Sequence, residues 1–191
     1  MNKYNKGEYG YLKNYRKGKL IASIIFLAII VFINVTVFIM FGDTKRVAIV
    51  FAILMALPLA KYLISFIVCS KFKPLSKEDY DYFKSKITSN WQDVLFDITI
   101  SQYEGMKFYQ SMIIKNGKVY AFVYDKNFTA NKKQYVKWLS DSFISSRQEY
   151  KLFVTDKMDE YIKKVNSIST PNHNTMLIDT YVREQIFEKG V

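Results

Sequence analysis

Two apolar stretches dominate the first third of the chain. Leu20 to Phe41 and Val47 to Ser70 are nearly uninterrupted apolar runs of 22 and 24 residues. At about 1.5 Å of rise per helical residue, each run reaches across a hydrocarbon layer of roughly 30 Å. We therefore predict a two-helix transmembrane hairpin over residues 20–70, preceded by a tail, residues 1–19, and followed by a domain, residues 71–191.

After the hairpin, the pattern changes to short helical and strand periodicities, which predict a small α+β domain. Ser76 can cap a first helix, and Asn116-Gly117 is a strong hairpin signal because both residues tolerate positive φ. The predicted order is α-β-β-β-α-β-α, an antiparallel sheet flanked by helices, with strands at 91–101, 107–115, 118–125 and 151–154, and later helices at 131–146 and 156–168. Residues 167–175 are predicted as a loop, and 176–189 fits a strand or a helix.

The first predicted strand has one apolar and one wetter face. Strict alternation places Val94, Phe96, Ile98 and Ile100 on the apolar face. Asp97 then belongs to the wetter face, and it is the only carboxylate in the middle of a predicted strand.

Positive charge is concentrated beside the hairpin. Of a formal net charge of +11, the tail contributes six basic residues against one acidic residue, and it interleaves them with Tyr4, Tyr9, Tyr11 and Tyr15. Basic flanks resist translocation, so we expect both termini in the cytoplasm. The same mixture suits anionic lipid headgroups, which we predict as partners of the tail, beside the bilayer itself.

Three polar residues stand inside the apolar runs. Lys61 lies about ten residues from the end of the second run, Ser65 follows one turn later, and Asn34 lies in the first run. A buried ammonium is costly, so Lys61 either snorkels to the interface or faces a cavity or a carboxylate of a membrane partner. Asn34 can donate a hydrogen bond between helices.

Small residues recur at every fourth position of the second run, at Ala48, Ala52, Ala56 and Ala60. Such a face lets another backbone approach closely. We expect it to pack on the first helix, and homo-oligomerisation is the alternative.

The stretch Lys118 to Tyr124 resembles part of the RNA-recognition signature, in which strand aromatics stack on bases. The resemblance would give that role to Tyr120 and Phe122, although Val119 occupies the position of a signature glycine. The domain has nineteen basic against fifteen acidic residues, which gives only a mild attraction for phosphates. We expect these aromatics to pack the sheet and nucleic acid not to be a ligand.

The element order over residues 76–154 resembles the core of the restriction-endonuclease-like fold. That resemblance implies a metal site of carboxylates and a lysine on neighbouring strands, but the second and third strands lack the expected acids. An active site would need another carboxylate within about 4–5 Å of Asp97. A degenerate or cryptic nuclease-like or hydrolase domain is therefore the enzymatic alternative.

Other chemistry has little support in the sequence. The chain has one cysteine, Cys69, and one histidine, His173, and it has no glycine-rich phosphate loop. We expect no metal and no cofactor. The leading hypothesis is a non-catalytic, membrane-anchored interaction or accessory protein with a protein partner, and a further alternative is an oligomeric channel or transporter accessory subunit that uses Lys61.

Overall fold

The structure, a computed structural model, describes residues 4–41, 47–88, 90–143, 150–169 and 173–189. Contacts divide the chain into a hairpin unit, Leu12–Phe72, and a domain unit, which joins Tyr4–Tyr11 to Lys73–Val191. The elements in chain order are α1 (Tyr11–Phe41), α2 (Val47–Ser70), α3 (Lys77–Lys86), a 3₁₀ turn (Trp91–Asp93), β1 (Val94–Gln102), β2 (Gly105–Lys115), β3 (Lys118–Phe122), α4 (Phe128–Phe143), β4 (Lys151–Thr155), α5 (Met158–Asn166) and α6 (His173–Lys189).

Helices α1 and α2 are long and apolar enough to cross a membrane, and the protein does not cover them. In the most apolar window of each helix, only 6% of α1 and none of α2 is buried. Phe32, Ile39 and Leu57 are each more than 70% exposed. A core helix of a soluble protein would be mostly buried, and neither of these helices is.

The domain unit contains a four-stranded sheet with strand order β1-β2-β3-β4. The pairs β1/β2 and β2/β3 are antiparallel, whereas β3 and β4 are parallel. The α+β class and the predicted element order are confirmed, but the sheet is mixed. The parallel pair arises because α4 lies between β3 and β4 and carries the chain back to the starting end of the sheet.

Helices cover both faces of the sheet. On one face, α4 contributes Trp138 and Leu139, and α6 contributes Ile186, to the larger core. On the other face, Phe83 of α3 and Tyr161 of α5 pack in a second core. The domain therefore has three layers, and residues of the central strands are buried from both sides.

Two local signals of the sequence are confirmed in the domain. Ser76 caps α3, since its hydroxyl accepts a hydrogen bond from the backbone N–H of Asp79 at 3.0 Å. Asn116 and Gly117 form the turn between β2 and β3 with φ of 53° and 67°. A side chain at Gly117 would be strained in this left-handed conformation, which explains the glycine.

Several boundaries differ from the predictions. The undecided last segment is helical, and α6 begins at His173, inside the predicted loop, whereas Pro171 and Asn172 lie outside the described residues. At the other end of the chain, α1 begins at Tyr11, nine residues before the predicted start, and residues 4–10 belong to the domain unit.

Candidate functional site

Residues 4–11, here called the strap, lie on the edge strand β1 rather than forming a separate tail. The backbone N–H of Phe96 donates to the carbonyl of Gly7 at 2.8 Å, and the Lys6 ammonium donates to the carbonyl of Phe187 in α6 at 2.9 Å. Gly7 has φ of 88°, and a Cβ there would lie 2.9 Å from the Phe187 ring. The strap therefore depends on glycine for its close approach to the domain.

An aromatic contact completes the attachment of the strap. The ring of Tyr9 stacks on Tyr80 of α3 with centroids 4.0 Å apart, and it meets Phe96 edge-on. Burial, and after it the nearby carboxylate of Asp97, raises the pKa of Tyr9 above its ordinary value. Tyr9 is therefore a packing residue of the strap.

Asp97 connects the strap to the middle of β1. Its side chain is buried, its φ is 54°, and its Oδ2 accepts a hydrogen bond from the N–H of Gly10 at 3.1 Å. Gly10 directly precedes the first residue of α1, Tyr11. The prediction that Asp97 lies on a wetter face is wrong, because the strap and the domain cover both faces of β1.

The alternation of β1 reverses at this residue. Val94 and Phe96 belong to the core beneath α3 and α5, whereas Ile98 and Ile100 belong to the core beneath α4 and α6. The predicted single apolar face is therefore wrong. The cause is the left-handed backbone at Asp97, which turns the following side chains to the opposite face.

Gln110 lies opposite Asp97 in β2 and binds the segment that follows α2. It lies between the partners of Phe96 and Ile98 in β2 and is 2% exposed. Its amide nitrogen donates to the carbonyl of Lys73 at 3.0 Å, and its amide oxygen accepts from the N–H of Tyr124 at 2.7 Å. Lys73 follows the end of α2 by three residues.

Asp97 and Gln110, here called the junction pair, thus bind the two chain segments that lead to and from the apolar helices. Sequence reasoning named Asp97 but missed Gln110. A sequence signal for Gln110 was nevertheless available. Each of two successive apolar strands has a polar residue in its interior, and these two positions pair across the turn at Gly105.

The cavity beside the junction pair is small. It measures about 10 Å³, which is room for a single water molecule, and Asp97 is the only carboxylate among its lining residues, which also include Lys6, Thr99 and Ile186. Metabolite pockets are typically about 300–1,000 Å³. This cavity therefore cannot hold a metabolite.

The polar residues of the apolar helices mostly bond within their own helix. Asn34 donates to the carbonyl of Ile30 at 2.8 Å, and the hydroxyl of Ser65 donates to the carbonyl of Lys61 at 2.8 Å. The Lys61 side chain is exposed. Ser65 thus interacts with the backbone of Lys61, and these residues form no shared polar site.

The contact between α1 and α2 does not follow the alanine stripe. Ala56 and Ala60 are exposed and Ala52 is half-buried, while the side chain of Ala48 lies outside the described residues. Instead, the ring of Tyr62 stacks on Phe26 with centroids 5.5 Å apart. Ala56 and Ala60 thus take no part in this ring contact.

Tyr120 and Phe122 are packing residues in β3. They are 9% and 0% exposed, and Phe122 meets Phe83 of α3 edge-on with centroids 5.3 Å apart. Tyr120 meets Phe153 of β4 in the same way, at 5.8 Å. Because α3 and α5 cover this face of the sheet, a base cannot stack on it.

The carboxylate of Asp125 stabilises the fold of the domain. Asp125 accepts hydrogen bonds from the N–H of Asn127 at 2.9 Å, the amide of Asn131 at 2.8 Å and the hydroxyl of Tyr135 at 3.1 Å. The bond from Asn131 is the main cause that lowers the pKa of Asp125 below its usual range. These bonds fix the start of α4.

Two more carboxylates stabilise the end of the β2/β3 hairpin. Asp179 of α6 accepts from the backbone N–H of Asn116 and from the hydroxyl of Tyr150, and Asp93 pairs with Lys115. Among the residues that the structure describes, no three His, Cys, Asp or Glu side chains are grouped so that they could hold a metal ion.

Comparison with protein-family models, curated proteins and solved structures finds no match to this chain. The resemblance to the restriction-endonuclease-like fold therefore rests on element order alone, and a functional proposal has to come from the geometry of the chain.

Proposed function

We propose that the chain is a two-span integral membrane protein with both termini in the cytoplasm, which holds a non-catalytic α+β interaction domain against the inner leaflet. Two uncovered helices of membrane-spanning length support the anchor. The protein would act as an accessory to another protein, because the buried side chains of Asp97 and Gln110 bind the chain itself and the cavity beside them is too small for a substrate.

The pairing of Gly7 with Phe96 is the observation that carries the topology. A residue before α1 and a residue after α2 can share a backbone hydrogen bond only on the same side of a bilayer. The two helices must then cross the bilayer an even number of times. The basic residues around these ends favour the cytoplasm as that side.

Labelling of single cysteines tests this topology. In a Cys69→Ala background, we expect Tyr103→Cys to react with a membrane-impermeant maleimide only after cell lysis, because Tyr103 is fully exposed at the β1/β2 turn and lies in the cytoplasm. Thr44→Cys, between the two helices, is the matched control and should react in intact cells. Labelling of Tyr103→Cys in intact cells, or recovery of the protein in the alkaline-soluble fraction, would disprove the proposal.

Crosslinking tests the accessory role. We expect a photocrosslinker at exposed positions of the domain, such as Tyr103 or Tyr181, to trap a reproducible protein partner in intact membranes. A crosslinker at the buried position of Tyr109 is the control and should trap nothing beyond the chain. If exposed and buried positions give the same result, the domain has no stable partner and the accessory role is wrong.

A further inference from the structure

We propose that one end of the hairpin unit binds the headgroups of anionic phospholipids through six cations, here called the basic collar. This inference rests on the proposed membrane insertion and names a lipid partner for it. The collar consists of Lys13, Arg16, Lys17, Lys19, Lys61 and Lys71.

The charge of the collar is not compensated within its unit. Residues 12–41 and 47–72 contain these six cations and no Asp or Glu. None of the six charged groups donates a hydrogen bond or forms an ion pair with another described residue, since the ion pairs of the described chain involve Lys115 and Arg183 with Asp93. Uncompensated charge of this kind attracts anions.

The cations lie in the half of the unit where α1 begins and α2 ends. Four belong to the first turns of α1, whereas Lys61 and Lys71 belong to the last part of α2 or directly follow it. The ammonium of Lys19 lies 4.9 Å from the ring centroid of Tyr62 and 4.8 Å from that of Tyr15. This contact places Lys61, the neighbour of Tyr62, near the level of the basic segment of α1.

That placement explains the lysine in the second apolar run. At the level of Lys19, the ammonium of Lys61 reaches the headgroup region, and it does not need a carboxylate from a membrane partner. Tyr15 and Tyr62 are residues that prefer the same interfacial level. Lys61 therefore belongs to a lipid-facing surface.

The apolar surroundings of the collar favour a lipid over a free anion. Leu20, Ile21, Leu63 and Ile64 are exposed beside the cations, with exposed fractions between 38% and 60%. A phospholipid can place its phosphate at the collar and its acyl chains along this surface. The predicted lipid contact was the whole tail, residues 1–19; its Lys6 donates to the carbonyl of Phe187, whereas Lys13, Arg16, Lys17 and Lys19 of the same tail belong to the collar.

Native mass spectrometry of the delipidated full-length protein in a neutral detergent tests the inference. The probes are phosphatidylglycerol and phosphatidylcholine with identical acyl chains, and millimolar inorganic phosphate as a competitor. We expect phosphatidylglycerol to bind at least tenfold more tightly. The double variant Lys19→Gln/Lys61→Gln should weaken its binding by about 25-fold, from roughly fivefold for each neutralised cation.

The controls separate lipid binding from net charge and from folding. Lys133→Gln/Lys137→Gln removes two exposed cations from α4 and should leave the affinity unchanged, and Lys19→Arg/Lys61→Arg should keep it. The inference would be overturned if the protein bound the two lipids with equal affinity, or if both glutamine double variants lost the same affinity for phosphatidylglycerol. Full competition by inorganic phosphate would overturn it as well. Cysteine labelling that shows two spans would then leave the proposed topology intact, so the two failures can be told apart.

Discussion

Replacement of Gln110 by leucine should lower the free energy of unfolding of the domain by about 2–3 kcal/mol. The amide of Gln110 is the partner of two backbone groups, the carbonyl of Lys73 and the N–H of Tyr124. Leucine has a similar volume but no polar atoms, so both groups lose their partner. Each such loss costs about 1–3 kcal/mol, and water can partly replace the bond at the more exposed Lys73.

Tryptophan fluorescence during urea unfolding in a mild detergent measures this effect. Both tryptophans of the chain, Trp91 and Trp138, lie in the domain unit, so the signal reports the domain without a contribution from the apolar helices. Gln134→Leu, at an exposed position of α4, is the matched control and should change the midpoint little. Equal midpoints for the two variants would show that Gln110 does not hold the connection.

Local signals in the sequence predicted much of the domain. Ser76, Asn116 and Gly117 each act through their own backbone or that of close neighbours, so their roles can be read without knowledge of the fold. The helical character of α6 could not be read this way, because its apolar residues do not form a single stripe. Val182 and Ile186 face the core, whereas Leu177 remains exposed.

The candidate site could be predicted only in part because it depends on contacts that are distant in sequence. Gly10 lies 87 residues from Asp97, and Lys73 lies 37 residues from Gln110. An isolated polar residue in a strand has many possible partners, and a pattern of period two does not reveal a reversal of faces. One sequence signal of the reversal in β1 remained. Leu95 is an apolar residue on the face that the alternation predicted to be wetter.

The junction pair binds both connecting segments at one place in the sheet. Asp97 and Gln110 occupy opposite positions on two paired strands, and each holds a different connecting segment through its side chain. A shift of either segment would change a buried hydrogen bond at the same place in the sheet.

Substitutions of Asp97 should separate its two contributions to the stability of the domain. These are its tolerance of the left-handed backbone conformation and its hydrogen bond with the N–H of Gly10. Asn tolerates positive φ and keeps an acceptor oxygen, Gly tolerates positive φ without an acceptor, and Ala provides neither. We expect destabilisation to increase in the order Asp97→Asn, Asp97→Gly, Asp97→Ala. The alanine variant should lose about 2–5 kcal/mol of unfolding free energy, from about 1–2 kcal/mol for the backbone and about 1–3 kcal/mol for the unpaired N–H.

Urea unfolding measures the order of destabilisation among the three variants. Hydrogen–deuterium exchange of the strap shows where in the chain the stability is lost. We expect the strap peptides to exchange faster in Asp97→Gly than in Asp97→Asn, because only the glycine variant leaves the N–H of Gly10 without its acceptor. Peptides of α5, on the other face of the sheet, are the internal control and should stay protected. If Gly and Ala destabilise equally, the left-handed backbone at Asp97 contributes little. If the strap exchanges equally in the Asn and Gly variants, Asp97 does not hold it, and the attachment comes from the hydrogen bonds of Gly7 and Lys6 and the stacking of Tyr9 on Tyr80.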